Sequence, residues 1–546
     1  LNKADFSNVE ESVLFYTEIV YNNFIMFTVK KLKQFLPKSA IIHITGYLVI
    51  LSIFSRLLGL FRDRLLTSNF ETSILDAYFS AFRIPDFLYN ILILGTLSSA
   101  FIPLFSKLIH RKDKQQEAQS LVDDVLLIVG VVMGIISVIM VVFAPYLVKL
   151  VAISYEGQKL VDAVTLTRIM AISPFIFSIS SVLSSVLNAY KKFIIVALAP
   201  IVYNIGIIIG IIWFYPIWGV PGLGYGVVLG AIFHLLIQIP SVLKLNISLN
   251  VDTKLYIKNL KRLWELYWPR LLVIDTAMLS LFIGTIIAST KPDAVTYFTL
   301  AFNLNALPLG VIAISFATAI FPFLTESYAR EDEESFRDYV IEGISKNLLL
   351  LIPIMMLMLN FRSQIVRIVY GGGGFGWEET KITFQTFTIL ALSIPFQGLI
   401  PLLSRALFAR HDTKTPMIVG IIGMLINIFL AIVLSHYWGV LGVAAAFSIT
   451  MVISCLIYGF IIFRAINHGS VTKTIIYGVQ VSIWSLGMLG IAYIFKQLIG
   501  SFIGTNTLIS LVIQVLGASA PALAIYIFIT WKLGLTKVLS NKNKTK

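Results

Sequence analysis

The stretch from Ser55 to Pro103 reads SRLLGLFRDRLL over residues 55–66 and, after a short polar turn, DAYFSAFRIPDFLYNILILGTLSSAFIP over residues 76–103. Both parts read as belonging to membrane-crossing helices. They nevertheless carry Arg56, Arg62, Asp63, Asp76, Arg83 and Asp86. A charge placed in hydrocarbon costs roughly 2.5–3.5 kcal/mol on insertion scales. Several such groups in one hairpin imply a water-filled cavity and a polar ligand to occupy it.

The bulk composition sets the surroundings of this hairpin. The chain has 546 residues, 58% hydrophobic and 13% charged, with a mean hydropathy of +0.88. Soluble domains are about 45–50% apolar and about 25% charged. The composition therefore predicts an all-α polytopic membrane protein, because a segment in lipid must satisfy its own backbone as a helix. Apolar length places spans near residues 41–61, 75–106, 121–147, 165–189, 193–214, 219–243, 264–289, 296–324, 342–370, 382–408, 415–435, 439–463, 474–495 and 508–531, about 14 helices in all. Pro85, Pro174, Pro308 and Pro395 are placed to kink or tilt the longer ones.

The net charge of +14 is read through the positive-inside rule rather than as a nucleic-acid footprint. Lys and Arg concentrate after spans 2, 4, 6, 10 and 12 and near both ends, which puts both termini in the cytoplasm. Residues 1–40 show no signal-peptide pattern. They read as an interfacial amphipathic helix, with an extra short span as the alternative. Cys455 is the one cysteine, so neither an internal disulfide nor a cysteine metal site is available. The six histidines form no HExxH pairing, and no phosphate-cradling GxxxxGK[ST] loop is present. Nothing points to an enzyme, a metal centre or a cofactor.

The sequence repeats itself. Trp218-Gly-Val-Pro-Gly222 recurs as Trp438-Gly-Val-Leu-Gly442, 220 positions later (438 − 218 = 220). Three further matches keep the same order and about the same offset: Ser98–Pro103 with Ala317–Pro322, Ile172–Phe175 with Ser393–Phe396, and Ala81–Ile84 with Ala301–Leu304. The expected organisation is an N-terminal extension (1–40), a first six-helix repeat (41–250), a second parallel repeat (251–465), a C-terminal helix pair (466–535) and a basic tail (536–546). Two like bundles around a central cavity are suited to alternating access. The repeat also acts as an internal control. Arg83 corresponds to Asn303, Asp76 falls near Val295 and Arg56 near Thr276, so the scaffold alone does not demand these charges.

Within the hairpin, Arg56 and Asp63 are seven residues apart and share a helix face, with Gly59 between them leaving room for a ligand or a neighbouring helix. Arg62 lies about 120° round, toward the outer helix end. Two readings stay open. The ions could neutralise one another in an inert or gating set of salt bridges. Alternatively, Arg56 and Arg83, with Arg62, bind a polyanion, since arginine's planar fork suits phosphate. Asp63 and Asp76 then hold the arginines or latch a gate. Asp275 and Asn427, polar groups in apolar spans, are candidates for a cation site, with Na⁺ or the membrane potential as the energy source. Gly371–Gly374 with Phe375 and Trp377 reads as a flexible outer connector or lid.

At these residues the chain resembles the MurJ (MviN) family of lipid II flippases, within the multidrug/oligosaccharidyl-lipid/polysaccharide exporter superfamily. The stretches that carry the resemblance are SRLLGLFRD (55–63), DAYFSAFRIPDFL (76–88), SSAFIP (98–103), VRIVYGGGGF (366–375) and LLSRALFARHDTKTP (402–416). It implies translocation of lipid II, an undecaprenyl-pyrophosphate glycolipid, from the inner to the outer leaflet. It also implies membrane lipids and cell-wall synthesis proteins as partners, and functional weight at Arg56, Arg62, Asp63 and Asp76, while Arg83 matches a position that is basic in the family. The family's usual arginines are replaced here by Tyr89 and Asn303, its span-2 glutamate by Leu94, and its sodium-type site is matched in part by Asn427. Export of another polyprenyl-linked glycan or of drugs on the same fold is the alternative, as is a non-transporting scaffold. Arg56 and Arg83 disfavour a site for cationic drugs.

Overall fold

In a computed structural model of the chain the described residues are 40–94, 96–245, 247, 276–465 and 469–539. The expectations for residues 1–39, for Asp275 and for the end of the basic tail lie outside them. The apolar runs are helices, with their backbone groups paired within each segment as hydrocarbon requires. In order they are α1 (Ala40–Asn69), α2 (Thr72–Tyr89), α3 (Thr96–Ile109), α4 (Gln115–Val151), α5 (Gly157–Met170), α6 (Ser173–Ala189), α7 (Phe193–Ile209) and α8 (Val220–Leu236). After the undescribed stretch come α9 (Thr276–Ala288), α10 (Ala294–Pro308), α11 (Ile314–Ala329), α12 (Glu333–Asn360), α13 (Arg362–Tyr370), α14 (Trp377–Ala391) and α15 (Ile394–Ala409). The chain then continues as α16 (Lys414–Trp438), α17 (Val440–Ala465), α18 (Gly469–Ile503) and α19 (Leu508–Lys532).

Among the described residues ten helical stretches are long and apolar enough to cross a membrane, and α14 with α15, bent by 45°, adds an eleventh when taken as one span. The other three expected spans fall on α1, on α2 with α3, and, from residue 276 onward, on α9, which are helical; residues 264–275 lie outside the described residues. The first helix is longer than the 41–61 reading: it runs on to Asn69, so Arg62 and Asp63 lie inside it rather than at its end. The prolines divide into two kinds. Pro174 and Pro395 stand at the starts of α6 and α15, where a proline lacks no needed donor, and so begin a second helical segment. Pro85 and Pro308 lie inside or at the end of a helix, and each is followed by a π-helical turn, Asn90–Leu94 and Leu309–Ala313.

Those two π turns are one sign that the 220-residue repeat is structural. Gly219 and Gly439 both take positive φ, 66° and 56°, at the tight turns after Trp218 and Trp438. Lys191 and His411, also 220 apart, both adopt left-handed backbone, with φ of 61° and 60°. The buried cores repeat as well: Leu104, Val182, Leu183, Val186 and Leu187 in one cluster answer to Leu324, Leu402, Leu403, Ala406 and Leu407 in the other.

Two compact units divide the chain: one holds residues up to Arg62, Ile84–Pro145 and Val164–Leu271, the other Asp63–Arg83, Tyr146–Ala163 and Leu272–Lys546. In the first, α7 and α8 meet glycine to glycine. A Cβ on Gly206 would lie 2.3 Å from the Gly230 Cα, and one on Gly210 2.4 Å from the Gly226 Cα. Such small-residue faces let helix backbones touch where lipid supplies no hydrophobic drive between helices. Leu51 and Leu58 of α1 pack on the other side of α7, against Leu198 and Ile201. In the second unit the C-terminal pair α18 and α19 is docked on α12, and the Tyr526 hydroxyl donates to the Leu349 carbonyl at 3.0 Å.

Candidate functional site

Each unit carries part of the charged hairpin. In the first, Arg56 is half-buried on α1. Its Nε is buried without a hydrogen-bond partner, and its guanidinium has no ion pair among the described residues. An apolar helix normally excludes such a group unless a ligand is to meet it. One turn and a half further on, Arg62 donates from Nη1 to Asn204 Oδ1 at 2.9 Å. Asn204 is itself anchored by donating to the Pro200 carbonyl at 3.0 Å. Gly59 faces the same asparagine, with 3.9 Å from the position of a Cβ to Asn204 Oδ1. The sequence reading gave Gly59 a spacing role, and here it is the contact of α1 with Asn204 on α7.

Tyr89 stands in the first unit where the resemblance leads one to expect a cation. Its hydroxyl lies 2.7 Å from Ser181 Oγ and its ring 5.3 Å from that of Phe177. The position is thus a neutral, packed one. Asp86 accepts from Asn90 Nδ2 at 2.9 Å, one helical turn on.

In the second unit Asp63 is buried and accepts from Asn303 Nδ2 at 3.0 Å. Asn303, another position of a missing arginine, therefore keeps a donor on the aspartate without supplying charge. Arg83 is 9% exposed; its Nε donates to Thr285 Oγ1 at 3.1 Å and its Nη2 to Thr299 Oγ1 at 3.5 Å.

Asp76 is fully buried and the most heavily engaged of the set. Its Oδ1 accepts from the backbone N–H and the hydroxyl of Thr296, both at 2.7 Å. Its Oδ2 accepts from Tyr155 at 3.1 Å and pairs with Lys159 Nζ at 2.8 Å. The carboxylate caps the start of α10, where free N–H groups and the helix dipole favour an anion. The preceding Asp293, in left-handed backbone, makes no side-chain cap of its own. The expectation that Asp76 holds an arginine is corrected: among the described residues its ion pair is with Lys159. Asp76 and Thr296 are 220 residues apart (296 − 76), so this contact joins equivalent points of the two repeats.

Lys159 was missed by the sequence reading because span 4 was started at residue 165, whereas α5 begins at Gly157. A lysine in a loop otherwise poor in cations was the available signal. Ser80 Oγ, 2.9 Å from the Tyr155 hydroxyl, and Lys149, donating to the Tyr155 carbonyl at 3.0 Å, complete the network. The backbone N–H of Ile153 donates to Ser289 Oγ at 3.2 Å in the same unit.

The glycine run is not a free connector. Thr67 donates to the Tyr370 carbonyl at 3.0 Å, and Gly373, φ 55°, sits where a Cβ would lie 1.8 Å from the Ser68 carbonyl oxygen. Asn427 is buried; it donates to Thr450 Oγ1 at 3.4 Å, and its Oδ1 has no hydrogen-bond partner. A cavity of about 430 Å³ in the second unit is lined by Phe321, Gln397, Ser404, Arg405, Met451 and Tyr458 among others. Arg405 there donates to Thr318 Oγ1 at 2.8 Å. No group of three or more potential metal ligands occurs among the described residues.

Comparison with known proteins gives these features a context. The sequence profile of the family described as lipid II flippase MurJ matches residues 69–517. A protein of Borreliella burgdorferi named "Probable lipid II flippase MurJ" is 27% identical over 430 residues, covering 77% of this chain and 83% of that one. A solved structure titled "Lipid II flippase MurJ, inward closed conformation" matches with a TM-score of 0.73 and 26% identity, over 89% of this chain and 98% of that one. The fold extends to an inward-facing multidrug resistance MATE family transporter of the MOP superfamily, with a TM-score of 0.63 and 16% identity, over 79% and 98% of the two chains.

Proposed function

This chain belongs to the lipid II flippase MurJ family, and from that premise we propose how it works as a lipid II flippase. The substrate is moved from the inner to the outer leaflet of the bacterial plasma membrane by alternating access. The polyprenyl tail stays in lipid while the pyrophosphate and sugar cross through protein, and no bond is made or broken. Arg56 is the primary ligand of the pyrophosphate. The observation that carries this role is its half-buried guanidinium, which has no hydrogen-bond or ion-pair partner among the described residues. Arg62, oriented by Asn204, is the second cation on that helix. Two-point binding of phosphate by a guanidinium supplies both energy and geometry.

Asp76 with Lys159, Tyr155 and Thr296 is the latch that closes the outer end. The orientation rests on the loop charges, which place residues 63–76, 146–163 and 289–296 outside. Asp63 and Arg83 position the helices around that latch through Asn303, Thr285 and Thr299. Asn427, with a buried carbonyl oxygen that has no hydrogen-bond partner among the described residues, is the residue proposed to ligate a coupling Na⁺. The experiment is complementation of a cell depleted of its own lipid II flippase. The chain restores growth and Arg56→Ala does not, at equal membrane abundance. Full rescue by Arg56→Ala would remove Arg56 from the site.

A further inference from the structure

A cavity of about 310 Å³ lies within the second unit, at the end of the helices where α13 passes into α14 and α18 into α19. It is lined by Arg64, Arg367, Trp377, Thr380, Asn506 and Leu508, with the glycine loop closing one side. The volume is at the low end of the ~300–1,000 Å³ typical of small-molecule sites. Neither arginine belongs to the site above. Arg64 spends one donor on the Ile368 carbonyl, at 2.6 Å, and Arg367 makes no side-chain hydrogen bond. Neither has an ion pair among the described residues.

The wall is built rather than adventitious. Thr67 holds the Tyr370 carbonyl, and the Tyr370 hydroxyl donates to the Leu300 carbonyl at 2.9 Å. Gly372 and Phe375 bond each other across the loop, and Gly373 rests on Ser68. Glu379 lies beside the rim, 3.0 Å from where a Cβ on Gly376 would stand, and no acid is among the lining residues.

We propose that this cavity binds the phosphate-bearing headgroup of a membrane lipid. Two guanidinium groups without carboxylate partners, set in one rigid pocket, call for an anion that two planar forks can share. The lining side chains Trp377, 59% exposed, and Leu508, 44% exposed, give the mouth an apolar, aromatic edge of the kind found at the membrane–water interface. A soluble anion would use the arginines and leave that edge bare; a lipid uses both. The site is separate from Arg56 and stands whether or not Arg56 contacts the transported pyrophosphate.

The test uses the full chain in detergent and native mass spectrometry of lipid adducts. The probes are phosphatidylglycerol, lipid II and phosphatidylcholine, compared between the wild type and Arg367→Gln. The Arg367 side chain makes no hydrogen bond among the described residues, so its replacement leaves the fold intact; Arg64→Lys is the second variant, keeping charge but losing the fork. Wild type retains phosphatidylglycerol about tenfold better than either variant, as expected for loss of one charge-assisted contact. Arg367-dependent retention of phosphatidylglycerol alone assigns a structural phospholipid, and of lipid II alone assigns the phosphate of the transported lipid. Retention that is equal in wild type and Arg367→Gln for both anionic lipids, or no better for either anionic lipid than for phosphatidylcholine, overturns the proposal.

Discussion

Replacing Asp76 by Asn changes almost no volume and removes the charge at the centre of the latch. The carboxylate is fully buried and is met by two donors of Thr296, the Tyr155 hydroxyl and Lys159 Nζ. A hydrogen bond to a charged group contributes about 1.5–3 kcal/mol, and breaking a buried ion pair from one side costs about 3–5 kcal/mol. The Lys159 side chain is 23% exposed and keeps Asp293 Oδ1 at 3.6 Å, so the lower end applies, about 3 kcal/mol. At 1.36 kcal/mol per decade that is a shift of roughly 100-fold in the equilibrium between the closed and opened latch. Ser289 is 1% exposed and bonded to Ile153, so Ser289→Cys in a Cys455→Ser background is a buried reporter. Its labelling by an impermeant maleimide rises roughly 100-fold in Asp76→Asn. Lys159→Met produces most of the same rise, and the double variant adds little, because each removes the same pair. A labelling rate within threefold of the parent, or a double variant equal to the product of the singles, would refute the latch.

Two further outcomes follow from steric contacts. Gly373→Ala places a methyl against the Ser68 carbonyl in a left-handed conformation; it lowers stability by at least about 2 kcal/mol, seen as a clear fall in the thermal unfolding midpoint, whereas Gly157→Ala, with open space around it, lowers it less. Gly206→Leu separates α7 from α8, and folded protein in the membrane drops severalfold by size-exclusion yield, with no comparable loss for Gly490→Leu, which meets nothing within 4 Å.

The helices and their repeat were legible in the sequence because apolar length and a fixed 220-residue offset are local or self-referential signals. Trp218-Gly219 and Trp438-Gly439 announced the same turn twice, and the backbone angles agree. The charged hairpin was legible as a set, but its wiring was not. Asp76 finds Lys159 83 residues on and Thr296 220 residues on, and no periodicity within one helix encodes such a meeting. Gly371–Gly374 read as flexible because glycine permits many conformations. In the fold it is glycine for want of space, with the Ser68 carbonyl where a side chain would go. Arg64 is not singled out by the sequence, because its partner, the Ile368 carbonyl, lies 304 residues away.

The central claim is that this chain carries lipid II across the membrane on Arg56. It is tested most directly by measuring outer-leaflet lipid II, with a membrane-impermeant cleaving toxin, in cells depleted of their own flippase. Expression of the chain restores cleavable lipid II, while Arg56→Ala lowers the rate at least about tenfold, the effect of losing one charge-assisted phosphate contact. Wild-type chain present in the membrane without restoring cleavage, or Arg56→Ala restoring it in full, would contradict the account.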